Sequence, residues 1–126
     1  METIDSALVR ERLRAALKVA MKERDSAAMA AFRSAIAAMD NAGAVDASLT
    51  PSPDDTEIAN AMLGAGAADV PRGVLSIDDV LRIIRAEIAE RFAAAEQYVR
   101  LGRTDQASRL QAEADALQGF LMRTLS

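Results

Sequence analysis

Neither histidine nor cysteine occurs in this 126-residue chain. Without histidine it lacks the side chain most often used as a general base or metal ligand near neutral pH. Without cysteine it has no disulfide framework, no thiolate metal site and no thiol nucleophile. Tryptophan is missing too, and three Phe and one Tyr are the only rings available for a core or for stacking on bases. No apolar run approaches a membrane span, and the opening METIDSALVRERL has no signal-peptide core. These absences lead to the expectation of a soluble cytoplasmic protein with no membrane partner, no metal and no cofactor.

What remains is rich in alanine and in helical spacing. Apolar residues make up 51% of the chain, enough at this length for one domain with a modest core. Nothing alternates with the two-residue period of a strand, so the fold class expected is all-α, a small helical bundle. No internal repeat is evident.

The stretch from Ser76 to Leu121 organises the rest. Ser76 followed by Asp79 has the spacing of a capping box, and Asp78 with Asp79 puts negative charge in the first turn. Ile77, Val80, Leu81, Ile84, Ile88, Ala95, Tyr98 and Val99 then recur at three- and four-residue intervals. The pattern predicts a helix over 77–101, roughly 37 Å long at 1.5 Å per residue. Gly102 supplies a left-handed terminator. Thr104 or Asp105 is the expected cap of a second helix over 105–121, striped by Ala107, Leu110, Ala114, Leu117 and Leu121. So short a turn makes the two helices an antiparallel hairpin.

The N-terminal part, residues 1–43, reads as a pair of helices at 5–24 and 26–42, with Asn41–Ala42–Gly43 closing the second. Val9, Leu13, Ala16, Leu17, Ala20 and Met21 form the buried stripe of the first; Met29, Phe32, Ile36 and Met39 form that of the second. Leu13, Leu17, Phe32, Ile36, Leu81, Ile84, Ile88, Leu110 and Leu117 are the expected core. Residues 44–75 are an acidic, Pro- and Gly-containing linker with a short helix expected near 55–63. Its GAGAADVPRG has neither a strand before it nor Lys-Ser/Thr after it, so its glycines are not a phosphate loop.

Net charge is −4, and the linker carries that excess by itself: residues 1–43 sum to +1, residues 44–75 to −4 and residues 76–126 to −1. Against that background two features stand out. Arg10, Arg14, Lys18 and Lys22 follow one another at four-residue spacing on the first helix, a row able to track a phosphate backbone. The alternative is a solvated edge whose stems cover the core and whose heads pair with Glu11 and Glu23; the lack of an interleaved aromatic favours it. Arg91 falls inside the apolar arc of the long helix, between Ile88 and Ala95, where a charge needs a partner. Glu87, one turn earlier, has the spacing to hold it. Arg33 and Asp40 project near each other on the second helix, and a gathering of these charges at one end of the bundle is the expectation. An anion contact and an interhelical ion pair are both open, with the ion pair favoured. No nucleophile, base and orienting group can be assembled, so the reading leans away from an enzyme.

The order of motifs adds a direction. KVAMKERDSAAMAAFRSAIAAMDNA, followed by LSIDDVLRIIRAEIAERFAAAEQYVRLGRTDQASRLQAEADALQGFL, resembles the N-terminal helical region of the YqeY-like (GatB/YqeY) family. The matching positions include Met21–Lys22, Arg33, Asn41, Glu90, Arg91 and Arg103. The resemblance implies an all-helical, cytosolic, non-catalytic module with a tRNA or a translation-related protein as partner. It also implies, as a third reading, an accessory to a glutamine-dependent amidotransferase, a carbon–nitrogen ligase. Apart from the resemblance, a protein-interaction or self-association module is the competing expectation. Its surface would be an exposed apolar strip on the long helix beyond the end of the fourth.

Overall fold

A computed structural model of the chain describes residues 3–48 and 75–126. Four helices make up the described part: α1 (Ser6–Glu23), α2 (Ser26–Ser48), α3 (Ile77–Arg100) and α4 (Thr104–Leu125). Among the described residues there is no strand. The short helix expected near 55–63 lies outside them.

Local chemistry sets most of the helix ends. Asp5 caps α1 by accepting from the Leu8 amide at 2.8 Å. At the other end Arg24 turns left-handed (φ 57°), and the Asp25 amide reaches back to the Ala20 carbonyl at 2.9 Å. Asp25 then accepts from the Ala28 amide at 3.1 Å, so two consecutive residues end one helix and cap the next. The result is a tight α1–α2 hairpin.

The second hairpin repeats the device. Ser76 and Asp79 form the expected capping box at the start of α3. Gly102, at φ 73°, ends the helix while the Arg103 amide donates to the Tyr98 carbonyl at 2.8 Å.

Two boundaries differ from the sequence expectation. α2 does not close at Asn41–Ala42–Gly43 but continues to Ser48. Gly43 is buried and keeps a helical backbone; glycine lowers helix propensity by only about 1 kcal/mol, which burial offsets. α4 begins at Thr104 with Arg103 at the cap position, and neither Thr104 nor Asp105 caps it. It also runs on to Leu125, so its last turn covers the first turn of α3, where Val80 is fully buried.

The two hairpins share one core. Val9 and Leu13 from α1, Phe32 and Met39 from α2, Val80, Ile84 and Ile88 from α3, and Leu117, Phe120 and Leu121 from α4 pack into one cluster. Phe32 and Phe120 meet across α2 and α4 with ring centroids 6.1 Å apart, tilted by 59°. Leu17, Ile36 and Leu81 are half-buried at its edge, while Leu110, expected in the core, is half-buried and outside it. Leu110 lies beyond the reach of α1 and α2. The shared core takes no residue of α4 before Ala114. From Thr104 to Glu113 the second hairpin therefore runs outside that core, over roughly 15 Å of helix. Val99 and Leu101 are exposed for this reason.

Candidate nucleic-acid interface

The cationic row of α1 divides in the structure. Arg10 is half-buried and its guanidinium bonds the Asp40 carboxylate of α2 at 2.5 Å. Asp40 is therefore committed to Arg10 and not to Arg33, correcting the sequence expectation. An ion pair across two helices wins over proximity on one helix because it also closes the open end of the α1–α2 hairpin. Arg14, Lys18 and Lys22 are exposed and form no ion pair with any described residue, Glu11 and Glu23 included. The solvated-edge reading had supplied those two glutamates as partners.

Arg33 joins this edge from the neighbouring helix. α1 and α2 run antiparallel, and Arg10 meets Asp40. Lys18 lies two turns beyond Arg10 and Arg33 two turns before Asp40, so the two are level. Arg33 is exposed, again without a described ion-pair partner. Four cations, Arg14, Lys18, Lys22 and Arg33, thus occupy one outer face of the first hairpin.

Arg91 has the opposite character. Its side chain is only 13% exposed and is held on three sides. Nη1 donates to Glu87 Oε1 at 3.0 Å and to the Glu87 carbonyl at 3.2 Å, and Nε donates to Glu113 Oε1 at 3.0 Å. The Ser34 hydroxyl of α2 donates to Glu87 Oε1 at 2.5 Å, and Arg109 approaches Glu113 Oε2 at 3.6 Å. The network ties α2, α3 and α4 together where the second hairpin leaves the shared core. The Glu87 pairing follows the sequence expectation, whereas Glu113 and Ser34 escaped it. Glu113 carried a readable signal: it stands one turn from Leu110 and one from Leu117, an acid at the edge of an apolar stripe. Arg33 takes no part, so the charges do not gather as expected. Among the described residues no buried polar side-chain atom lacks a partner.

Asn41, Glu90 and Arg103 are exposed and far apart in the fold, so the family-matched positions do not converge on one site. Between the α1–α2 turn and α4 lies an open cleft of about 480 Å³, floored by Ala20, Ala28 and Phe32 and rimmed by Glu23, Asp25, Asp115 and Arg123. None of its lining residues carries a hydroxyl. Among the described residues no group of three or more carboxylates is placed to hold a metal ion, and no helix is long and apolar enough to cross a membrane. Comparison with protein-family models, with curated proteins and with solved structures finds no match to this chain.

Proposed function

We propose that this chain is a non-catalytic helical module that binds the phosphates of an RNA, a tRNA by its resemblance to the YqeY-like family, in the cytoplasm. One observation carries the reading: Arg14, Lys18, Lys22 and Arg33 share an outer face and have no acidic partner among the described residues. Elsewhere on the surface Arg82 and Arg100 are paired with acids on their own helix, while Arg24, Arg85, Arg103 and Arg123, also exposed, form no ion pair among the described residues. Cations left free on one face keep their full charge for a polyanion, and binding then draws on counterion release.

Fluorescence anisotropy with a labelled tRNA, across a range of salt, tests this directly. Four phosphate contacts give a slope of log affinity against log salt of roughly −3 to −4, which is about a hundredfold loss between 50 and 200 mM. Lys18→Ala and Arg33→Ala each reduce the slope by about one. Arg10→Ala combined with Asp40→Ala leaves it unchanged, because the two charges cancel in the parent. Absence of binding at the lowest salt sinks the proposal.

A second reading, a protein-interaction module, is favoured by Val99 and Leu101, which are 60% and 68% exposed on the second hairpin. Met122 and Leu125 at the end of α4 are exposed as well, so exposed apolar side chains stand at both ends of the second hairpin.

A further inference from the structure

We infer that the nucleic acid held on this face is double-helical and is gripped by its phosphates without base stacking; the inference rests on the RNA-binding reading above. Proteins that hold single strands combine cations with aromatic side chains on which successive bases stack. This chain has four rings, and each is accounted for: Phe32, Phe92, Tyr98 and Phe120. Phe32 and Phe120 are buried against each other in the core. Phe92 and Tyr98 sit half-buried on α3, with Tyr98 on the part outside the shared core. No ring therefore flanks Arg14, Lys18, Lys22 or Arg33.

The arrangement of the charges points the same way. Arg14 to Lys22 spans eight residues of one helix, roughly 12 Å along its axis. Arg33 stands off that row by one helix spacing, about 8–10 Å. The face is thus a patch with width, carrying cations on two parallel helices. A single strand presents one line of phosphates, whereas a double helix presents two lines across a groove. Lys18 and Lys22 add point charges on flexible stems, which suit phosphates at varied positions. The shared chemistry is the paired phosphodiester backbone, which either an RNA stem or a DNA duplex supplies.

The test compares four labelled probes by anisotropy on the full chain at 50 mM salt. They are a 16-base-pair RNA duplex, a DNA duplex of the same length, and each corresponding single strand. At least tenfold tighter binding of one or both duplexes than of their single strands is expected, with less than threefold change when the duplex sequence is scrambled. The RNA and DNA arms show which source of the backbone is preferred. Tyr98→Leu should leave duplex affinity within twofold, since no base reaches that ring. Single strands binding as tightly as duplexes, or a loss on Tyr98→Leu, overturns the inference while leaving RNA binding standing. If no probe binds, the RNA-binding reading falls, and this inference with it.

Discussion

Arg91 shows at the scale of one residue how a charge is tolerated inside a bundle. Taking an ion out of water costs several kilocalories, and only good geometry with satisfied hydrogen bonds offsets that cost. Here the guanidinium has two carboxylates and a carbonyl around it. Replacing Arg91 with Ala strands Glu87 and Glu113, 13% and 11% exposed, beside each other's charge. About 3–5 kcal/mol of stability should be lost in a denaturant titration. Adding Glu113→Gln to that variant should recover part of the loss, because one stranded charge is gone. Lys18→Ala should leave the melting temperature nearly unchanged, as its exposed head group forms no hydrogen bond or ion pair with a described residue. An Arg91→Ala protein as stable as the parent would mean that the network is not formed. Arg91 and Glu87 were legible in the sequence because both belong to one helix, where spacing fixes distance. Glu113 was harder, since the meeting of α3 with α4 depends on hairpin register. Arg24 was harder still: the break was visible, yet a left-handed arginine has no sequence signature, glycine being the usual occupant.

At the scale of the element, the capped start of α3 and its glycine terminator could be read, and the far ends of α2 and α4 could not. Ser76 with Asp79 marked the start of α3 correctly because the motif itself supplies the bonds. α2 and α4 run past their expected ends, to Ser48 and Leu125. The capping box also gives α3 a dependence on pH. The Ser76 hydroxyl, then its backbone amide, with Arg82 adding to them, hold the Asp79 carboxyl below its ordinary value. A carboxyl depressed by folding stabilises the folded state at pH values above its unfolded pKa. The contribution fades as pH falls through the lower, folded value. Melting temperatures between pH 6 and pH 2 should therefore decline at the acid end, below about pH 4. Ser76→Ala should flatten that decline, and an unchanged acid limb in the variant would rule out the cap as its source. Further along α3, Ile84 is fully buried, and Ile84→Ala should cost about 2–5 kcal/mol in the same titration. A loss below half a kilocalorie would place that side chain outside the core.

For the whole molecule, the all-α class and the C-terminal hairpin were legible because both follow from period and punctuation, which are local. The face bearing Arg14, Lys18, Lys22 and Arg33 was legible only in part. The row on α1 follows from spacing, but the loss of Arg10 to Asp40 and the arrival of Arg33 depend on how two helices dock. The extent of the second hairpin outside the shared core was not legible, since it depends on how the two hairpins dock. The two tight turns, at Arg24–Asp25 and at Leu101–Arg103, also govern how fast this chain finds its structure. Each joins helices that are neighbours in sequence, so most contacts form across short loops, and folding within microseconds to milliseconds is expected. The α3–α4 hairpin, the most extensive helix pairing, is the natural nucleus. In sequence 28 residues separate Ser48 from Ile77, a longer connection than either tight turn. Loop entropy grows only with the logarithm of length, so doubling that connection should slow folding less than twofold to threefold and lower stability by about 0.6 kcal/mol. Inserting the same residues at Gly102 should do far more harm, because it removes both the terminator of α3 and the head start that proximity gives the nucleus.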